Sequence, residues 1–575
     1  MNLTKILAIS GKPGLYRLET QTRTGFLATS LVDDKRISVG IRNNVSLLSE
    51  IAIYTTEKEI PLSEVFEKIK TLEEARELSM NIIKAKDLTY EQKTSQLAKL
   101  AENLNDFPVS SVNDRIFEIS ENGGFCDLWE GHAPYAPRYI CPNYQKLLDE
   151  GCKFLRLEKA ETLLDAINNL LIFYHHVPSI TRYPVYIGKI DKLLDPFITD
   201  REEAKKLIKW FLVSLDRTIN DSFCHANIGP EKTVAGEIIL ELLPTLNNVT
   251  PNMTILYDED ITPDDFGEKA VYASLLTANP AFANDKYYRN DFNGDYAIAS
   301  CYNGLPISGG AFTLSRLRLG SLARSSSSKQ DFFDRVLPEA IDLMCNFMEG
   351  KIRFIVEETP FFEENFLVKE GFIELDRFVG LFGVVGLHEC VQKLLEFESK
   401  DLVYGKDDYA NNLGLEVMDF VENRVNSFES KYSTFWNHRF MLHSQVGAQD
   451  DMEDSAGVRI RIGKEIPMYD HIKHSALFHK YFPSGIGDHF PFDETAEKNP
   501  AAVLDIFKAA FRLNMRYISC YGENGDLIRV TGYLVKKSDM QKFIDGESIS
   551  YDTVQYAREA FEKYHLLERK VRDVK

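Results

Sequence analysis

Two residues far apart in the chain, Gly532 and Cys301, are of types suited to moving a hydrogen atom. Gly532 stands near the C-terminus in Asp526-Leu527-Ile528-Arg529-Val530-Thr531-Gly532-Tyr533-Leu534. A glycine Cα can become planar with no side chain in the way, so that its amide nitrogen and carbonyl share an unpaired electron, and glycine lets another group approach closely. The plainer alternative, a glycine in a tight turn between two strands, stays open at this point. A backbone radical needs a partner that passes a hydrogen atom to and from substrate, and a cysteine sulfur can do so. That cysteine must be a neutral thiol in a dry site, because a thiolate has no hydrogen to give, and burial raises a thiol pKa in the required direction. Cys301 ends the apolar run Asp295-Tyr296-Ala297-Ile298-Ala299-Ser300 and opens the turn-rich loop Tyr302-Asn303-Gly304-Leu305-Pro306-Ile307-Ser308-Gly309-Gly310. A strand that delivers a cysteine to a glycine-flexed loop can project its sulfur into a barrel centre. The other cysteines, at 126, 141, 152, 224, 345, 390 and 520, read as buried small hydrophobes. No C-x-x-C pair occurs among the eight, which disfavours zinc ribbons, iron–sulfur clusters and disulfide frameworks and fits a reducing cytoplasm.

Further polar residues have two readings each. His225 and Asn227, in His-Ala-Asn-Ile-Gly-Pro, can supply a polar contact or proton relay at the mouth of a strand, or a satisfied structural histidine. Tyr302 and Asn303 adjoin the thiol, and the amide of Asn303 can orient substrate or cap its own loop. His388 and Glu389 follow Gly380, Gly383 and Gly386, whose G-x-x-G-x-x-G spacing is not the dinucleotide fingerprint; no P-loop occurs either. Those glycines read as close packing in a barrel element before a helix that begins near His388. Arg529 can neutralise a substrate anion or meet a partner surface, with a structural ion pair as the plainer expectation. His471, His474 and His479, with His438, His443 and His489 nearby, permit a catalytic metal, although no H-E-x-x-H accompanies them.

These residues must be positioned by a chain of 575 residues, 44% hydrophobic and 27% charged, which is ordinary for a large globular protein and suggests one large unit with something small. With 87 acidic against 67 basic residues the net charge is −20, so nonspecific attraction to nucleic acid or anionic lipid is not expected, although a local basic pocket is allowed. No stretch is long and apolar enough for a membrane span or a signal h-region, so a soluble cytoplasmic protein is expected. Residues 1–75 read as a small β-rich accessory domain, from the short runs ILAIS, GLYRLET, GFLATSLV, RISVGI and EIAIYT and the turns Lys12-Pro13-Gly14 and Asp33-Asp34-Lys35. Residues 76–120 read as a helical junction. From 121 to 575 amphipathic helices alternate with candidate strands. Leu163, Leu164, Ile167, Leu170 and Leu171 mark one helix face, and Ala204, Leu207, Ile208, Phe211 and Leu212 another. TRYPVYIG, NMTILYD, DYAIASC, KIRFIVE and ISCYG are the candidate strands, and the alternation argues for an α/β architecture.

Arg-Val-x-Gly-aromatic, here Arg529 to Tyr533, resembles the signature of glycyl radical enzymes, and from about residue 85 to 575 the chain resembles the YjjI-type family of these enzymes. The matching stretches are EGHAPYAPRYICPNY (130–144), HHVPSITRYPVYIGKIDKLLDPF (175–197), HANIGP (225–230), YDEDITPDD (257–265), SCYNGLPISGG (300–310), ENFLVKEG (364–371), LFGVVGLHE (381–389) and LIRVTGYLVKKSD (527–539). The resemblance implies an α/β fold, a ten-stranded barrel of two five-stranded halves surrounded by helices, with the C-terminal radical segment at about 450–575. It implies a glycyl radical on Gly532 as the protein-derived cofactor, a thiyl radical on Cys301, anaerobic metabolism, and activation by a separate radical S-adenosylmethionine (SAM) enzyme. SAM and the iron–sulfur cluster belong to that activase, so no metal or nucleotide is expected on this chain; a small-molecule substrate and a homodimer are. Residues 1–70 resemble a small bacterial domain of unknown function, DUF5606, which suggests an interaction or assembly role.

Departures from better-known relatives narrow the chemistry. Formate-lyase types carry adjacent cysteines, whereas Cys301 is followed by Tyr302. Eliminases and dehydratases commonly use Cys-x-Glu, but the third position is Asn303. Anaerobic ribonucleotide reductases bear cysteine pairs near the C-terminus, and the single cysteine after Cys390 is Cys520. The expected reaction is therefore a lyase-type or related carbon-radical reaction on an unnamed small metabolite. Two competing readings are a metal-dependent enzyme using His471, His474 and His479, and a non-catalytic scaffold of the same fold.

Overall fold

The computed structural model describes residues 72–86, 114–126, 135–181, 183–444, 454–530 and 532–551, positions 88, 92–93, 96–97 and 553–554, and the backbone of strands between 17 and 61. The chain divides into two compact units, residues 1–112 with 131–134, and residues 113–130 with 135–575.

In the first unit β1 (Arg17–Thr22), β2 (Gly25–Val32), β3 (Lys35–Arg42), β4 (Ala52–Tyr54) and β5 (Glu59–Pro61) pair in chain order as an antiparallel sheet. Two residues separate Val32 from its cross-strand partner Lys35, the spacing of a tight hairpin. Four of the five expected β runs overlap these strands; ILAIS and the Lys12-Pro13-Gly14 turn lie outside the described residues. A helix follows over Leu72–Lys84.

The second unit contains β6 (Phe125–Cys126), β7 (Tyr139–Cys141), β8 (Tyr186–Lys189), β9 (His225–Ile228), β10 (Asn252–Tyr257), β11 (Ala281–Asn284), β12 (Tyr296–Ala299), β13 (Asn303–Pro306), β14 (Gly309–Arg318), β15 (Phe378–Val385), β16 (Met441–Ser444), β17 (Asp488–Phe492), β18 (Tyr517–Gly522), β19 (Leu527–Arg529) and β20 (Leu534–Lys536). One mixed sheet runs β17-β18-β11-β10-β9-β8, with β8 to β11 parallel neighbours in chain order. Parallel neighbours need a crossover, and the helices Arg201–Thr218, Val234–Leu246 and Asp264–Thr277 supply it. A second mixed sheet runs β16-β15-β14-β6, with β7 also paired to β14.

Strands covered on both faces are buried along their whole length, and every residue of β10, β14 and β15 is buried; β15, FVGLFGVV, reads as the continuous apolar run expected of such a strand. Gly380 and Gly383 in β15 are there for close packing, as expected: a Cβ at 380 would stand 2.5 Å from Phe440 Cδ1, and one at 383 would stand 2.7 Å from Arg316 Cγ. The helix after them begins at Leu387.

Two sequence expectations are corrected. KIRFIVE is not a strand: Lys351 to Arg353 end the helix Leu337–Arg353, and Phe354–Glu358 continue it as one π-helical turn. A short apolar run fits a buried helix as well as a strand, and here the helix extends into it. Leu164 does not share the buried face of its helix. It is 53% exposed, while Leu163, Ile167 and Leu170 are buried. The second expected face holds, with Ala204, Ile208, Phe211 and Leu212 buried. Among the described residues no helix is long and apolar enough to cross a membrane.

Candidate active site

The hairpin β12–β13 carries Cys301 in the three-residue turn between Ala299 and Asn303, which pair across it. It is tied to both sheets. Ser300 N donates to Val185 O at 2.9 Å, just before β8, and Gly304 N donates to Ser484 O at 2.7 Å, between β16 and β17. Ser300 has φ +57°, a left-handed conformation that few non-glycine residues adopt, and this twist presents the next residue, Cys301.

His225 and Asn227, alternate residues of β9 and so on one face of it, both grip this hairpin. His225 Nδ1 bonds to Ser300 O at 2.8 Å and its Nε2 to Thr254 Oγ1 at 2.7 Å. Burial pushes His225 down to about 3, so the ring is neutral near pH 7. Asn227 Nδ2 donates to Ile298 O and Ile298 N donates to Asn227 Oδ1, each at 2.9 Å. His225 Nδ1 and both ends of the Asn227 amide are thus spent on positioning the backbone of the Cys301 hairpin, while His225 Nε2 is taken by Thr254.

The second loop is the turn between β19 and β20, which form an antiparallel hairpin. Gly532 lies in that turn, so the turn reading and the close-approach reading coincide. Its φ is not in the left-handed region, so backbone conformation does not demand glycine there. Proximity does: a Cβ on Gly532 would stand 2.0 Å from Cys301 Cβ, 2.8 Å from Cys301 Sγ and 2.9 Å from Cys301 Cα. Cys301 is 6% exposed. Burial pushes its thiol up to about 12, against weaker lowering by a hydrogen bond from Ser300 and the charge of Arg529, so it keeps its proton near neutrality. All eight cysteines are buried and none is in a disulfide.

The flanking residues divide by what they touch. Tyr302 OH donates to Ser444 O at 2.8 Å, and its ring lies 5.5 Å from that of Tyr517 and 5.8 Å from that of His443, which fixes the ring as a wall of the Cys301 loop. Asn303 is 2% exposed, and its Oδ1 has no hydrogen-bond partner among the described residues. Arg529 is not in an ion pair among the described residues: it donates to Ala278 O at 2.8 Å, Gly532 O at 3.3 Å and Met253 O at 3.5 Å. This corrects the expectation of a structural ion pair, because carbonyl dipoles take the place of a carboxylate. His388 and Glu389 sit elsewhere, on a cavity of about 540 Å³ that Arg324, Lys393, Arg461 and Lys464 also line. Glu389 accepts there from Ser455 N at 2.9 Å and Ser455 Oγ at 2.7 Å.

Three family models match the chain. The model of YjjI-like glycyl radical enzymes matches residues 88–572. The chain belongs to that family. DUF5606, a domain of unknown function, matches 3–48, and DUF6852, another, matches 51–99, a stretch that sequence reading had divided between a β-rich domain and a helical junction. An uncharacterised protein of Haemophilus influenzae is 45% identical over 500 residues, 86% of this chain and 97% of that protein. The uncharacterised YjjI of Escherichia coli is 39% identical over 494 residues, 85% of this chain and 95% of that protein. Among solved structures, an anaerobic ribonucleotide reductase superposes with a TM-score of 0.61 at 13% identity, covering 87% of this chain and 86% of that one. The glycerol-bound B12-independent glycerol dehydratase of Clostridium butyricum superposes with a TM-score of 0.60 at 12% identity, covering 86% and 88%. At such identities the likeness is one of fold.

In this YjjI-like chain the histidine cluster does not converge. Among the described residues no group of three or more His, Cys, Asp or Glu side chains is placed to hold a metal. His471 Nε2 pairs with Asp488 Oδ2 at 2.9 Å, His474 packs edge-on against Tyr404 at 4.6 Å, and His479 Nδ1 accepts from Arg516 N at 2.8 Å. Sequence reasoning missed Ser300, Thr254 and Asn252, whose Nδ2 donates to Gly532 O at 2.8 Å. The available signal was polarity: Asn252 and Thr254 interrupt the apolar strand NMTILY, and a buried amide or hydroxyl needs a partner.

Proposed function

We propose that Gly532 stores an unpaired electron on its main chain and that Cys301 relays it to a small metabolite. In the relay the Cys301 S–H bond breaks and the Gly532 Cα–H bond forms, so one hydrogen atom moves and no net charge does. The resulting sulfur radical then takes a hydrogen atom from substrate in an anaerobic lyase-type or related radical reaction. The observation that carries this reading is the approach of Cys301 to a glycine whose Cβ position the cysteine already occupies. A thiol held protonated by burial supports it, since the relay needs a hydrogen on sulfur.

The electron is installed by a separate radical SAM activase that removes a Gly532 Cα hydrogen. Asn303 is the substrate-facing polar group in this proposal, because its buried Oδ1 is open to an O–H or N–H donor. An amide is no base near neutral pH, so it orients substrate rather than deprotonating it. The six-stranded and five-stranded mixed sheets act as the two halves of a barrel around the Cys301 hairpin, in a cytoplasmic homodimer. Residues 1–75 serve as an accessory domain, 76–120 as a junction and 121–575 as the radical unit, with its radical segment at about 450–575.

The test is anaerobic activation followed by electron paramagnetic resonance (EPR). The expected result is a carbon-centred doublet that Gly532→Ala abolishes, with backbone cleavage near Gly532 on exposure to air. Persistence of the doublet in the Gly532→Ala variant would overturn the assignment.

A further inference from the structure

The carbonyl of Gly532 is held as tightly as its Cα is crowded. Asn252 Nδ2 donates to its oxygen at 2.8 Å and Arg529 Nη1 at 3.3 Å. Arg529 is 3% exposed, and among the described residues no carboxylate lies within ion-pair distance of it. Burying a guanidinium without a counter-ion is costly, and what faces it is three carbonyl oxygens arranged for its planar fork, those of Ala278, Gly532 and Met253. Asn252 is fully buried too, and its Oδ1 has no partner, so the amide is placed there for its donor end alone.

Asn252 opens β10 directly opposite His225 on β9. His225 holds the carbonyl of Ser300, next to Cys301, and Asn252 holds the carbonyl of Gly532. One rung of a parallel ladder therefore grips both loops whose contact makes the site.

We propose that Arg529 and Asn252 form an electrostatic cradle for the Gly532 carbonyl that stabilises an unpaired electron on this residue, with Asn252 a positioning residue that sets how strongly the electron prefers Gly532 to Cys301. The inference rests on the assignment of Gly532 as the radical residue. When the Gly532 Cα loses a hydrogen atom and becomes planar, its amide nitrogen pushes electron density through Cα toward the carbonyl oxygen. That oxygen is then more negative than in the resting peptide. Donors already aimed at it gain more in the radical state than in the resting state, and such preorganised, differential stabilisation is what lowers the energy of one state relative to another. A charged donor in a dry interior strengthens the effect. Because only part of a charge gathers on the oxygen, loss of the Asn252 donor is expected to shift the exchange between Gly532 and Cys301 by about tenfold, the scale of one ordinary hydrogen bond.

The experiment uses full-length protein carrying ¹³C at glycine carbonyls, activated anaerobically, with Asn252→Leu as a near-isosteric replacement lacking the donor. The expected result is a folded variant whose EPR doublet shows an altered ¹³C splitting and decays about tenfold faster than that of the parent protein. A folded variant with unchanged splitting and unchanged lifetime would overturn the cradle while leaving the Gly532 assignment standing. If the parent protein itself gives no doublet, the Gly532 assignment falls, and the cradle with it. Should Asn252→Leu not fold, Asn252→Ser also removes an amide that reaches the carbonyl and is read by the same two outcomes.

Discussion

Replacing Gly532 by alanine tests the packing at the centre of the site before any radical is made. The added Cβ would stand 2.0 Å from Cys301 Cβ and 2.9 Å from Cys301 Cα. Unbonded carbons settle at about 3.5–4.0 Å, so one loop must retreat by roughly 1.5 Å. The β19–β20 hairpin resists, because Leu527, Ile528, Val530, Tyr533 and Leu534 are packed with Val249, Ala278 and Met540 in a buried cluster. Overpacking of this kind costs about 1–3 kcal/mol, which corresponds to roughly 5- to 150-fold faster local opening. Amide hydrogen exchange across residues 527–536 reads that opening directly in unactivated protein. The closest clash is with Cys301 Cβ, so Cys301→Ala should not relieve it, whereas Cys301→Gly should relieve most of it and leave the 2.9 Å approach to Cα. Exchange is expected to be faster in Gly532→Ala and in the Cys301→Ala/Gly532→Ala pair. In Cys301→Gly/Gly532→Ala it should fall most of the way back toward the level of Cys301→Gly alone, the remainder coming from the 2.9 Å approach to Cα. Parent-like protection in Gly532→Ala, or full rescue by Cys301→Ala, would refute the close approach on which the functional proposal stands.

Other expected outcomes follow from the same geometry. In D₂O the EPR doublet should collapse as deuterium enters Gly532 from the Cys301 thiol; Cys301→Ala should abolish the collapse, and His225→Ala, which frees Ser300, should slow it by about tenfold. A collapse of parent speed in Cys301→Ala would remove that residue from the relay. Because burial pushes the Cys301 thiol up to about 12, the collapse rate should be flat from about pH 6 to pH 9, with the accompanying stability lost only as pH climbs from about 9 toward 12; a steep rise in the rate below pH 9 would show a thiolate instead. Burial pushes His225 down to about 3, so below about pH 6.5 the unfolded chain binds a proton that the folded chain refuses, and stability falls by up to about 1.4 kcal/mol per pH unit for this group as pH drops toward 3. Urea midpoints at pH 7 and pH 5 should therefore differ less in His225→Gln than in the parent, and an equal difference would count against a neutral buried ring.

Much of the architecture was legible in the chain because it is encoded locally. The runs that became β8, β10, β12 and β18 were apolar and bounded by turn residues, and the face of Ala204, Ile208, Phe211 and Leu212 followed helical spacing. KIRFIVE failed because a short apolar run carries no period of its own, and the helix before it decided its state. At the site, His225 and Asn227 stood out as polar residues in a strand, yet their direction was not readable: whether a buried polar group meets substrate or a neighbouring backbone depends on what packs against it. Arg529 was misread for the same reason, since its partners are carbonyls contributed by Ala278 and Met253 as well as by its own turn.

By itself the amino-acid sequence determined which groups were available: a bare main-chain carbon at Gly532 within Arg-Val-Thr-Gly-Tyr, and a lone thiol at Cys301 on a glycine-flexed loop. Residue type sets intrinsic chemistry, and spacing of a few residues sets local conformation. Only the tertiary structure decided that the two occupy one space, that the thiol is dry enough to keep its hydrogen, and that the rung His225–Asn252 holds both loops. Those facts arise from contacts between segments hundreds of residues apart, where packing and exclusion of water, rather than local pattern, determine distance and charge.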